Sequence, residues 1–73
     1  MQKYIIINGN QVILFDSRIS HSDLGANLNV TSAGFVDREG NCFGQSDSLG
    51  IGSSPEDSKV LKFFLRLSFK SIQ

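Results

Sequence analysis

Two residues with nucleophilic or acid–base chemistry occur once each in the chain, His21 and Cys42. A cysteine beside a histidine can act as a nucleophile, because the imidazole accepts the thiol proton. Such a pair also needs a group that orients the histidine and donors that stabilise an oxyanion, and the spacing indicates neither. We therefore predict that the chain is not an enzyme, with His21 in a helix-capping segment and Cys42 half-buried in a strand.

The carboxylates nearest to His21 do not form a standard metal-binding pattern. Asp16 and Asp23 flank the histidine, but the spacing between His21 and Asp23 matches no structural zinc motif. The single cysteine, Cys42, cannot build a thiolate cluster or an intramolecular disulfide. The sequence therefore predicts neither a metal centre nor a bound cofactor.

Basic residues recur at helical spacing near the C-terminus. They are Lys59, Lys62, Arg66 and Lys70. At about 100° per residue they fall on one side of a helix, where positive charge attracts an acidic or phosphorylated ligand. A plain solvated helix face is the alternative. Two such rows brought together across a two-fold axis would double the local field, which favours a ligand site at a subunit interface.

A second group of candidate ligand residues is small. Its members are Ser46, Ser48, Gly50, Gly52 and Ser53. Serine hydroxyls and backbone exposed beside glycine can bond a base or a ribose. Close packing of a helix or subunit against a sheet also requires small residues, and this alternative is at least as well supported. Residues 50–54 lead into a helix but lack a P-loop lysine, and Glu56 and Asp57 would repel an anion.

The elements that position these residues begin with a predicted hairpin. Residues 4–7 and 11–15 are β-branched and aromatic runs around Asn8-Gly9, a strong hairpin signal because both turn residues accept positive φ. Residues 5–7 are consecutive isoleucines, which indicate a strand that is covered on both faces. We expect the C-terminal helix to form one cover and a second subunit to form the other.

A short helix and a second hairpin are predicted to follow. Ser20 and Asp23 match a capping box, and Gly25 limits the helix to a turn or two. Residues 30–37 and 42–49 are predicted as strands around a turn at residues 38–41. Residues 50–53 then form a connection to the C-terminal helix.

The C-terminal helix has the clearest predicted start. Ser54 is the N-cap, Pro55 occupies the first helical position, and Asp57 lies three residues after Ser54, as in a capping box. Apolar residues then cover roughly half of the helix circumference or more. They are Val60, Leu61, Phe63, Phe64, Leu65, Leu67 and Phe69. An apolar arc wider than one sheet face predicts a homodimer or a higher oligomer.

The chain of 73 residues is predicted to form one domain, residues 1–73. Its predicted fold class is α+β, with an antiparallel four-stranded sheet of two hairpins, a short helix between them, and a C-terminal amphipathic helix on one face. Seven basic and seven acidic residues give a net charge of zero, which argues against a nucleic-acid partner. No apolar run suits a signal peptide or a membrane span, so we expect a cytoplasmic protein.

Four short motifs resemble small uncharacterised proteins of bacteria and their phages. They are Ser32-Ala33-Gly34-Phe35-Val36, Gly44-Gln45-Ser46, Ser48-Leu49-Gly50 and Ser54-Pro55-Glu56-Asp57. The resemblance extends over most of the chain and implies no established activity. It implies a phage or prophage context, in which short proteins often inhibit host systems by binding rather than by chemistry.

The sequence as a whole predicts a small non-enzymatic binding protein. We expect a phage-encoded anti-defence protein that sequesters a small anionic ligand, such as a signalling nucleotide, at a subunit interface. The predicted ligand residues are Lys59, Lys62, Arg66, Ser46, Ser48, Gly50, Gly52 and Ser53. The alternative is a protein–protein interaction module that inhibits a host factor through its apolar helix face or a sheet edge.

Overall fold

A four-stranded antiparallel sheet forms the centre of the computed structural model, which describes residues 1–72 and the side-chain environment of residues 1–66. Its strands are β1 (Gln2–Ile7), β2 (Gln11–Asp16), β3 (Val30–Val36) and β4 (Cys42–Phe43). They lie in the order β2-β1-β3-β4. With the short helix α1 (His21–Gly25) and the C-terminal helix α2 (Asp57–Ile72), the chain has the predicted α+β architecture.

The turn between β1 and β2 forms as the Asn-Gly pair predicts. Asn8 and Gly9 have φ values of 54° and 77°, and the N–H of Asn10 donates to the carbonyl of Ile7 at 3.1 Å. The turn is also bound to the segment that leads into β3. The Asn8 N–H donates to the Asn29 carbonyl, and the Asn29 side-chain amide donates to Asn8 Oδ1, each at 2.9 Å.

The second hairpin departs from the prediction of one strand over residues 42–49. β4 ends at Phe43, and Gly44 adopts a φ of 76°, which redirects the chain. A separate two-stranded ribbon follows, made of β5 (Gln45–Ser46), a turn at residues 47–50, and β6 (Ile51–Gly52). The predicted connection at residues 50–53 thus contains a strand. We call residues 45–52 the ribbon.

Both faces of β1 are covered, as its run of isoleucines predicts. On the side that we call the helix face, the buried cluster is Tyr4, Ile6, Val36 and Leu61. On the opposite side, the ribbon face, it is Ile5, Ile7, Phe15 and Ala33. Leu49 and Ile51 of the ribbon pack against this second cluster. The second cover is therefore intramolecular, and not the second subunit that the isoleucine run suggests.

Helix α2 begins at Asp57, two residues after Pro55, the predicted first helical position, and one of the two predicted capping-box bonds forms. The Asp57 N–H donates to the Ser54 carbonyl at 3.0 Å, and the Ser54 N–H donates to Asp57 Oδ2 at 2.9 Å. Leu61 is buried against the sheet, whereas Phe63 is 65% exposed, so the apolar arc is only partly covered within the chain. Leu67, Phe69 and Lys70 lie outside the residues whose side chains are described. Over residues 1–72, no helix is long and apolar enough to span a bilayer.

Candidate functional site

The residues predicted to bind a ligand divide between two elements. Ser46, Ser48, Gly50 and Gly52 belong to the ribbon, and Ser53 follows it directly. Lys59, Lys62 and Arg66 belong to α2. The ribbon and α2 pack against opposite faces of the sheet, so one chain does not bring the two groups into a single pocket.

The ribbon hydroxyls form hydrogen bonds within the protein. The buried Ser46 Oγ accepts from the Leu49 N–H at 3.1 Å, which closes the ribbon turn. Ser48 Oγ accepts from the Ser22 N–H and from Ser20 Oγ, both at 3.2 Å, which attaches the ribbon to α1. Ser53 Oγ donates to the Gly44 carbonyl at 2.9 Å. These bonds support the packing explanation for the small residues.

His21 and Cys42 lie on opposite faces of the sheet. His21 is 3% exposed; its Nε2 lies 2.9 Å from the Gly34 carbonyl, and its ring packs edge-to-face with Phe15 and Phe35. Cys42 packs against the helix-face cluster, where burial raises the pKa of its thiol. The two side chains therefore do not form a nucleophilic pair. Within the described residues, no cluster of three His, Cys, Asp or Glu side chains could hold a metal ion.

Asp57 joins α2 to the sheet through a role that its position in a capping box did not predict. Its side chain is buried, with 3% of the residue exposed. The Tyr4 hydroxyl donates to Oδ2 at 2.5 Å, and the Ser32 hydroxyl donates to Oδ1 at 3.0 Å. Burial and the adjacent carboxylate raise the pKa of Tyr4 well above its ordinary value. The position of Asp57 in a capping box predicts a bond to its own helix start. No pattern among neighbouring residues predicts its bond to Tyr4.

These contacts make Asp57 a structural anchor. It accepts from Tyr4, Ser32 and the Ser54 N–H, so both carboxylate oxygens have partners. Among the described residues, no buried side-chain nitrogen or oxygen lacks a hydrogen-bond partner. The polar cluster around Asp57 therefore fixes where α2 crosses the sheet, and it leaves the outer side of α2 as the surface that can meet a ligand.

The outer side of α2 combines positive charge with an exposed aromatic ring. Lys59, Lys62 and Arg66 are exposed beside Phe63. In the described part of the chain, no carboxylate lies within 4.0 Å of these three cations. The three cations differ in what they face. The aliphatic part of the Lys62 side chain lies over Gly40 in the β3–β4 turn, since a Cβ added to Gly40 would be 2.7 Å from Lys62 Cγ. Lys62 thus faces the β3–β4 turn.

Lys59 instead faces the β1–β2 turn across an open groove. Gly9 and Asn10 form one wall, and Lys59, Val60 and Phe63 form the other. The groove has a volume of about 420 Å³. It contains one cation, one amide side chain and one aromatic ring, and α2 is fixed beside it by the Asp57 anchor. This groove is the candidate site, and the sequence predicted Lys59 but neither Asn10 nor Phe63 as part of it.

The chain matches no protein-family model, no curated protein and no solved structure. The resemblance to small bacterial and phage proteins therefore stays a prediction that depends on four short motifs. One of them, Ser54-Pro55-Glu56-Asp57, has a structural explanation in the start of α2. Another, residues 32–36, supplies the core of β3, where Ala33 and Val36 are buried.

Proposed function

We propose that this chain is a small non-enzymatic binding protein that holds an anionic ligand with a planar base, such as a signalling nucleotide. The ligand would occupy the groove between α2 and the β1–β2 turn. The observation that supports this proposal is the placement of Lys59 and Phe63 opposite Asn10 across one groove of about 420 Å³. A cytoplasmic location belongs to the same proposal, because a single free cysteine suits a reducing compartment.

Each lining side chain suits a different part of a nucleotide. Phe63, at 65% exposure, offers a ring on which a base can stack, an interaction worth about 1–3 kcal/mol per base. Lys59 supplies a positive charge for a phosphate. The Asn10 amide both donates and accepts hydrogen bonds, so it can pair with a base edge or a ribose hydroxyl. Together they provide the aromatic, cationic and polar contacts that nucleotide recognition uses.

Arg66 extends the positive surface beyond the groove. It follows Lys59 by seven residues, which places it on the same side of α2 about 10 Å farther along the helix axis. A ligand with two separated phosphates would meet Lys59 with one and Arg66 with the other. This spacing favours a dinucleotide over a mononucleotide, because the second charge can attract a second phosphate.

Calorimetry with cyclic dinucleotides, cyclic trinucleotides and mononucleotides tests the proposal. We expect a binding heat that Lys59→Gln and Phe63→Ser each weaken by about tenfold, which corresponds to about 1.4 kcal/mol. Arg38→Gln is the matched control, since it removes one exposed positive charge on the β3–β4 turn, away from the groove. Absence of heat with every nucleotide, or equal weakening by all three substitutions, would contradict the proposal.

A protein–protein interaction module that inhibits a host factor is the second candidate. The exposure of Phe63 among Lys59, Lys62 and Arg66 favours it, because an acidic segment with one apolar side chain would complement this surface. A protein partner covering the whole outer side of α2 would depend on Lys62 as much as on Lys59. A groove ligand would depend on Lys59 and not on Lys62. The phage context and the anti-defence role rest on motif resemblance in either case.

A further inference from the structure

The sheet has one protected edge and one open edge. At the β4 edge only two residues pair, the Cys42 N–H donates to Ser58 Oγ at 2.9 Å, and Gly44 turns the chain away. At the other edge, β2 extends over six residues. Within the described chain, the backbone groups of residues 11–15 make no hydrogen bond outside the pairing with β1. Every second residue of β2 therefore presents an unpaired N–H and carbonyl outward.

Strand β2 also lacks the devices that keep edge strands from pairing. Its sequence, residues 11–16, contains no lysine and no proline. Its register against β1 runs from Gln11 opposite Ile7 to Asp16 opposite Gln2 without a bulge. Val12, Ile13 and Leu14 are only half-buried, although they pack against the two core clusters. A further strand on this edge would complete both the hydrogen bonds and the apolar burial.

An apolar groove runs beside this edge and enlarges the surface that a further strand would contact. Its lining includes Phe64 of α2 and Gln11, Val12 and Ile13 of β2. Its volume is about 440 Å³. Phe64 is half-buried, so a strand added to β2 would place side chains against this ring as well as against the strand.

We propose that β2 pairs with β2 of a second copy of this chain about a two-fold axis, which makes one continuous sheet of eight strands. The charge pattern favours this occupant, because the only charge on β2 is Asp16, at its end. Antiparallel pairing centred on Ile13 separates the two copies of Asp16. Parallel pairing would set them side by side, which is destabilising.

The proposed register opposes residues that suit one another. Ile13 lies opposite Ile13 of the second copy, Val12 opposite Leu14, and Gln11 opposite Phe15, so each pair shares one face of the sheet. The central positions are apolar, and the uncharged Asn10, which lies opposite Asp16, can donate to the carboxylate. Antiparallel edge pairing keeps both copies of α2 on the same side of the joined sheet, so the two copies of Phe64 lie on the same side of the junction.

Sedimentation equilibrium on the full chain tests the pairing through two substitutions at one exposed position. Asn10→Lys places a positive charge opposite Asp16 of the second copy, and Asn10→Glu places a negative charge there. Since the two-fold axis repeats each pair, we expect Asn10→Lys to tighten the dimer about fivefold and Asn10→Glu to weaken it about fivefold at low salt. Asn10 is exposed in the β1–β2 turn, so neither change should alter the far-ultraviolet circular dichroism.

A stronger disruption comes from Ile13→Lys, which places a charge at the centre of the edge. Circular dichroism decides whether this variant still folds, and a folded variant should be monomeric. A wild-type chain that is monomeric at millimolar concentration would overturn the pairing. So would a dimer that both Asn10 variants leave unchanged, or a monomer that binds an added extended apolar peptide along β2. Lys59→Gln and Phe63→Ser should not affect the dimer, which separates this inference from the ligand groove.

Discussion

Helix α2 and the ribbon cover opposite faces of the same sheet, but different interactions hold them there. The helix face contains a buried carboxylate, Asp57, that accepts from two side-chain hydroxyls and one backbone N–H, next to the buried Leu61. The ribbon face depends on neutral bonds, including those of Ser48, and on the imidazole of His21. Hydrogen bonds to a charged group contribute about 1.5–3 kcal/mol each, and neutral ones about 1 kcal/mol.

The two kinds of attachment indicate which part of the molecule is firmly held and which part can open. The bond between Tyr4 and Asp57 joins positions 53 residues apart and fastens α2 to the central strand β1. Ser48, in contrast, is exposed, so water can replace the bonds that attach the ribbon to α1. We therefore expect local opening to begin at the ribbon, and the start of α2 to open only with the whole sheet.

Asp57→Ala should give the largest effect on stability, about 3–4 kcal/mol. It leaves the Tyr4 and Ser32 hydroxyls and the Ser54 N–H without their acceptor, and buried donors without partners are costly. Urea unfolding measures the change. Glu56→Ala is the matched control, because Glu56 is the exposed neighbouring acid in the same helix start. A similar, small loss of stability in both variants would contradict the anchoring role of Asp57.

His21→Ala should have a smaller effect, about 2 kcal/mol. It leaves the Gly34 carbonyl without the imidazole donor and removes the ring between Phe15 and Phe35. Amide hydrogen exchange should show faster exchange in α1 and the ribbon, with the amides of α2 close to wild type. Asp23→Ala, on the exposed side of α1, is the control. Equal acceleration of exchange in α1 and α2 would mean that the two covers are not independent.

The parts of the fold that the sequence predicts are those that depend on neighbouring residues. The Asn8-Gly9 turn follows from the φ preferences of two adjacent residues, and both adopt positive φ. The Ser20 cap and the bond from the Ser54 N–H to the Asp57 side chain follow from residues within three positions of each other, and both form. Backbone preference and local hydrogen bonding decide these features before any tertiary contact is made.

The features that the sequence did not predict depend on distant contacts. A serine- and glycine-rich segment gives no periodicity with which to locate the break at Gly44 or the strand at Ile51. For the candidate site, helical spacing predicted Lys59 on the outer side of α2. That Asn10 lies opposite depends on how α2 crosses the sheet. Asp57 sets that crossing through Tyr4, and no spacing rule connects two residues so far apart.

Alkaline pH should weaken the helix face by an amount that is small just above pH 10 and grows as the pH rises. Burial and the Asp57 carboxylate hold the pKa of Tyr4 above its ordinary value of 10.0. The unfolded chain therefore loses the phenol proton at a pH where the folded chain keeps it. The free energy of unfolding should fall by about 1.4 kcal/mol for each pH unit above about 10, and this contribution is fully present below that pH.

Comparison with Tyr4→Phe isolates this effect, because the variant has no phenol to titrate. Burial also raises the pKa of Cys42, and Tyr4 itself acts on that pKa, so both proteins should carry Cys42→Ala, which removes the thiol from the comparison. The chain has one tyrosine and no tryptophan, so tyrosinate absorbance reports Tyr4 alone. We expect this absorbance to rise together with unfolding. Formation of tyrosinate near pH 10 in a protein that still has native circular dichroism would mean that the phenol is accessible to solvent. The helix face would then be held no more firmly than the ribbon face.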